Sequence, residues 1–166
     1  MRATPANLAL AVFVIALATI TGAWAFEAAG YLPCELCLKQ RTAYYAGVPL
    51  AGLIALIAMR GPDAPLAGVV GAGFLALAMI FAANGLFGIY HSGVEWGFWQ
   101  GPSECTGDFK GQSGGNLLEQ LKTVKVVRCD AVAIRILGLS LAGWNAVVSA
   151  LVAALALTGA RRSARA

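Results

Sequence analysis

The sequence predicts an all-α integral membrane protein, a four-helix bundle whose long external loop carries a short amphipathic surface helix. Three observations lead there. Of the 166 residues, 59% are hydrophobic and only 12% are charged, a balance that does not suit a water-soluble globule. Four apolar stretches, at about residues 8–26, 42–59, 66–90 and 136–157, contain no Lys, Arg, Asp or Glu, and each approaches the roughly 20 residues that a spanning helix needs. All four cysteines fall in the connections at about 27–41 and 91–135, which an even number of spans places on one side. The chain reads as one membrane domain, residues 1–166.

The first stretch has features of a secretory signal, since Arg2 precedes it and "TGAWA" offers small residues near its end. Three more spans follow and this one is long enough to cross, so an uncleaved helix is expected. "RGPDAP" then makes a tight turn. The glycines of "GVVGAGF" are in the wrong order for a nucleotide loop and no strand precedes them. In a spanning helix such residues permit close packing, here through Gly68 and Ala72. Trp96, Phe98 and Trp99 cluster past the third stretch as interfacial anchors. "FKGQSGG" is flexible by composition. Asn116 then caps a short helix with Leu117, Leu118, Leu121 and Val124 on one face and Glu119, Gln120, Lys122 and Lys125 on the other. That helix would lie on the membrane surface.

Orientation follows from Arg2, Arg60, Arg161, Arg162 and Arg165, which lie near span ends, whereas Lys110, Lys122 and Lys125 sit deep in a long segment. The termini are therefore expected in the cytoplasm and the cysteines in an oxidising external compartment. Every acidic residue except Asp63 is on the cysteine side. The basic pI reflects this asymmetry and does not call for nucleic acid, for which no basic, aromatic-interleaved patch exists.

Disulfide chemistry is the leading expectation. Cys34 and Cys37 form a CxxC at the head of the second helix, where orphan N–H groups and the helix dipole favour a thiolate at Cys37. Arg41 is one turn on and adds a positive charge, although an arginine there also suits a lipid anchor. Cys105 and Cys129 make either a structural bridge or a second exchange pair. Electrons then need an acceptor. No nucleotide fold is present, Leu38 follows Cys37 where covalent haem would need His, and the single His91 excludes a bis-histidine haem. A quinone remains, with Arg41 hydrogen-bonding a carbonyl and His91 either an ordinary boundary residue or a second contact. No metal is assigned. The competing readings are a membrane scaffold with a four-cysteine zinc site and a quinone reductase of the vitamin K epoxide type, in which the CxxC is expected late in the bundle.

Across nearly its whole length the chain resembles the disulfide bond formation protein B (DsbB) family of the bacterial inner membrane. "CELCLKQR" is the most specific part of the resemblance, and "LGLSLAGWN" also looks like the family's fourth-helix opening. It implies that Cys34 and Cys37 are the quinone-linked pair, that Arg41 and His91 lie at the quinone (ubiquinone or menaquinone), and that Cys105 and Cys129 face a DsbA-like periplasmic thiol oxidase. "GVEWGFWQGPSECTG" and "VVRCDAVAIR" depart from the best-known members, which leaves room for a specialised paralogue with its own partner.

Overall fold

The computed structural model describes residues 4–61, 64–102 and 127–164. The first helix, α1, spans Pro5–Ala28. The Thr4 side chain accepts the Asn7 N–H at 3.2 Å and Pro5 occupies the first turn, where its missing N–H costs nothing. α2 spans Glu35–Met59 with Cys34 as its cap, and α3 spans Ala64–Glu95. Both outrun the apolar stretches that announced them. Hydropathy marks the part suited to lipid, whereas backbone hydrogen bonding continues through Glu35–Arg41 and His91–Glu95.

The fourth stretch differs more. Residues 136–140 are not helical: Arg135–Ile136 (β1) and Leu139–Ser140 (β2) pair antiparallel across Leu137 and Gly138. Both turn residues have positive φ, 52° and 84°, as a two-residue primed turn requires. Apolarity alone could not separate this hairpin from the helix after it. The last helix, α4, spans Leu141–Ser163, with the Ser140 hydroxyl accepting the Gly143 N–H at 3.1 Å. It runs past the expected end at 157 to bring Arg161 and Arg162 into its last turn, where cations complement the dipole. The expected amphipathic helix from Asn116 lies outside the described residues.

All four helices are long and apolar enough to cross a membrane. Each packs on its sequence neighbours and α1 closes the ring against α4, with α3 and α4 in the most extensive contact. The core between them is apolar, centred on Val12, Ala51, Phe74, Leu77, Phe81 and Val152. Large apolar side chains such as Leu53, Leu56, Met79 and Leu86 point outward, as lipid-facing residues do.

Lipid is as apolar as leucine, so helices in a membrane associate through close packing and interhelical hydrogen bonds. Gly88 lies directly against the backbone of α4, because a Cβ there would lie 3.0 Å from the Ala146 backbone nitrogen. Gly85 faces Ser149, and Gly71 faces Ser163. Gly68 and Ala72, expected at the packing face, are exposed, and a Cβ at Gly68 would meet nothing within 4 Å. The stripe is the one through Gly71, Gly85 and Gly88. Gly88→Val should therefore lower thermal stability in detergent by about 1–3 kcal/mol through overpacking, while Gly68→Val should leave the melting temperature nearly unchanged.

Candidate functional site: a buried dithiol beside an apolar cavity

The first N–H groups of α2 have no intrahelical acceptor. Cys34 takes one: its Sγ accepts the Cys37 N–H at 3.4 Å. The same winding brings the two sulfurs within hydrogen-bond distance, the Cys37 Sγ lying 3.1 Å from the Cys34 Sγ. From α3, the His91 Nε2 reaches the Cys34 Sγ at 3.5 Å. The Gln40 amide nitrogen lies 2.9 Å from the His91 Nδ1. A donor on Nδ1 leaves the imidazole proton on Nε2, facing sulfur. Gln40 and His91 are both nearly fully buried.

Three hydrogen-bonding groups thus converge on the Cys34 sulfur. They pull its thiol down from the ordinary 9.0 to about 4, the Cys37 side chain contributing most, with His91 and the Cys37 N–H adding to it against the opposing effect of burial. The structure therefore gathers the hydrogen bonds on Cys34, whereas the sequence places the thiolate at Cys37, because the capping residue, and not the first-turn residue, presents its side chain to the orphan N–H.

Arg41 is placed differently too. Its guanidinium pairs with Glu27 at the end of α1 and also donates to the Ala23 carbonyl at 3.3 Å. The pair joins α1 to α2 beside the dithiol. Cys129 is 1% exposed and disulfide-bonded, and it packs in one small cluster with Cys34, Leu36 and Val94, flanked by Cys37. Cys105 lies outside the described residues. A disulfide-bonded Cys129 has no thiolate to offer a metal, so the four-cysteine zinc set does not form in this state. The ligand atoms of Cys34, Cys37 and His91 do lie within 4.8 Å of one another.

A cavity of about 440 Å³ opens beside the dithiol, within the usual range for small-molecule sites. Phe26, Leu32, Ile136 and Val148 contribute apolar walls, while Cys37, Arg41, His91 and Asn145 also line it. A flat apolar ring with carbonyl groups, such as a quinone head, fits this lining: the thiol and the guanidinium both face the space, and the buried Asn145 amide nitrogen has no hydrogen-bond partner among the described residues. At the cavity rim, Glu95 accepts a hydrogen bond from Ser140 and so ties α3 to the cap of α4. Trp96, Phe98 and Trp99 are exposed beyond α3, with Trp99 stacked on Tyr90 and donating to its carbonyl at 2.8 Å.

Sequence reasoning missed Glu27, Gln40 and the buried polar cluster of Tyr44, Asn84, Asn145 and Ser149. Signals existed. Gln40 and Tyr44 recur from Cys37 at helical spacing, and Asn84 and Asn145 are strongly polar side chains inside spanning stretches.

Fold and site together define a multi-pass membrane protein that holds a reactive dithiol at one end of a four-helix bundle. The chain belongs to the disulfide bond formation protein DsbB family, whose sequence model matches residues 5–159. No curated protein and no solved structure matched it. Membership makes disulfide oxidoreductase chemistry at the membrane its general activity.

The low Cys34 value has a signed consequence. The stabilisation that the thiolate's donors give the reduced chain is complete above about 9.0 and is lost as pH falls through about 4. Thiolate absorbance of the reduced protein should titrate with a midpoint near 4, and His91→Ala should move that midpoint upward. An unchanged midpoint in the variant would remove His91 from the site.

Proposed function

We propose that the protein is a thiol:quinone oxidoreductase that reoxidises a DsbA-like thiol oxidase in the periplasm. In this reading the chain ends are cytoplasmic, and Cys34, Cys37, Cys105 and Cys129 face the periplasm from a bacterial inner membrane. The observation that carries it is the packing of Cys129 in one cluster with the Cys34–Cys37 dithiol, beside a cavity lined by Cys37, Arg41 and His91.

A thiolate of the reduced partner attacks the Cys105–Cys129 disulfide, at Cys105, and forms a mixed disulfide while Cys129 leaves as thiolate. The partner's second thiolate resolves it, so the partner is oxidised and Cys105 and Cys129 are reduced. Cys129 then attacks the Cys34–Cys37 disulfide, and closure of Cys105 onto Cys129 leaves Cys34 and Cys37 as the dithiol. Cys34 is the better leaving group, because its thiolate is held by the Cys37 N–H and by His91. Gln40 holds His91 in the tautomer that donates to sulfur. Arg41, fixed by Glu27, has N–H groups left for a carbonyl oxygen. A bound ubiquinone or menaquinone supplies the two-electron, two-proton acceptor that returns Cys34 and Cys37 to the disulfide.

The acceptor must be strongly oxidising. A DsbA-type partner stands near about −120 mV, and the DsbA–DsbB–quinone pathway is the established instance of this poise.

Reduced DsbA-type protein mixed with the purified chain and ubiquinone should be oxidised with matching loss of quinone absorbance. Cys37→Ser should abolish quinone consumption, and Arg41→Ala should raise the quinone KM on the order of tenfold, the weight of a charge-assisted hydrogen bond. Stoichiometric zinc on Cys34, Cys37 and His91 in active preparations would sink the proposal. A reporter fused after Arg165 and found outside the cytoplasm would sink the orientation.

A further inference from the structure

Two turns below the dithiol, the bundle interior holds four polar side chains from three helices. Tyr44 of α2 donates its hydroxyl to the Asn145 Oδ1 of α4 at 2.7 Å. Asn84 of α3 donates its amide to the same oxygen at 3.2 Å and to the Ser149 Oγ at 3.0 Å. All four are at least nine-tenths buried.

Two donors on one oxygen determine how the Asn145 amide is turned. A flipped amide would set its NH₂ against that of Asn84, donor against donor, and Tyr44 and Asn84 would lose their shared acceptor. The Nδ2 group is therefore directed away from the cluster, and it is buried with no acceptor among the described residues. Such a group is costly in an apolar interior and calls for an explanation. Asn145 lines the same cavity as Cys37 and Arg41, together with Tyr44 and Val148. The cavity thus has a cationic donor at Arg41, a thiol at Cys37, and a neutral amide donor at its α4 wall.

We propose that the Asn145 Nδ2 is a hydrogen-bond donor to a carbonyl oxygen of the lipid-soluble quinone, at a point separate from Arg41. The inference rests on the quinone reading above and adds a second contact to it. Tyr44 and Asn84 are positioning residues, since they hold the amide through its oxygen. Ser149 meets both positioning residues, accepting from Asn84 at 3.0 Å and lying 3.4 Å from the Tyr44 hydroxyl.

The test uses the full chain in lipid nanodiscs with carbonyl-¹³C ubiquinone and, in parallel, menaquinone, read by isotope-edited infrared difference spectroscopy and by steady-state quinone kinetics. In the wild type, a bound carbonyl stretch should lie below its position in free quinone. In Asn145→Leu, and in the milder Asn145→Thr, whose hydroxyl can still accept from Tyr44, one carbonyl band should return toward the free position. The quinone KM should rise about three- to tenfold, the weight of one neutral hydrogen bond, with kcat retained. Ser163→Ala, which removes a buried hydroxyl of the same helix that bonds only the Gly159 carbonyl among the described residues, should leave both the band and the KM unchanged. Identical bands and KM in whichever Asn145 variant folds would overturn the inference and leave the quinone reading standing. Equal shifts in Ser163→Ala would overturn it as well, reducing Asn145 to a packing role. A wild type that binds neither quinone would overturn both, and shows itself by the absence of any bound carbonyl band.

Discussion

The site depends on one hydrogen bond at the head of α2, the Cys37 N–H to the Cys34 sulfur. A helix start leaves amide hydrogens without acceptors, and an oxygen usually takes them. Here the capping atom is a thiol sulfur, so the element that needs an acceptor and the residue that needs its thiolate stabilised satisfy each other. The CxxC spacing then brings the second sulfur to 3.1 Å. His91 arrives from α3 because that helix continues past its apolar stretch, and Gln40 holds it from α2. Removing the cap would leave no reason for the remaining donors to meet at Cys34.

This arrangement needs α2 and α3 to stay in register, and the packing below supplies the constraint. α3 and α4 approach closely where Gly88 lies against the Ala146 backbone. The hydrogen bonds among Tyr44, Asn84, Asn145 and Ser149 join α2, α3 and α4 at one level. Between helices in lipid there is little hydrophobic drive, so such contacts decide rotation and depth. The Arg41–Glu27 pair adds α1 on the cysteine side. The cavity lies within this frame, with the dithiol at one wall and the polar cluster at another.

Much of the fold was legible because the bilayer imposes a simple rule on sequence. Long apolar runs without charge announce spanning helices, and the four expected spans correspond to α1–α4. What misled was the use of apolarity as a boundary. Ile136–Ser140 is apolar enough to join the last span, yet Gly138 and the positive φ at Leu137 turn it into a hairpin. Gly68 and Ala72 were plausible packing residues by type, but the faces of α3 differ only by rotation. A uniformly apolar helix carries little periodic signal to say which face is inside.

The sequence by itself determined the membrane-spanning class, the CxxC at the head of a helix and the presence of His91 and Arg41 near its level, since these follow from composition, spacing and chain order. Only the tertiary structure decided which sulfur receives the donors, that Arg41 pairs with Glu27, that Cys129 packs beside Cys34, and that Asn145 turns its amide nitrogen away from its own network. These are relations between helices far apart in the chain. Their geometry is set by interhelical packing, which no local pattern encodes.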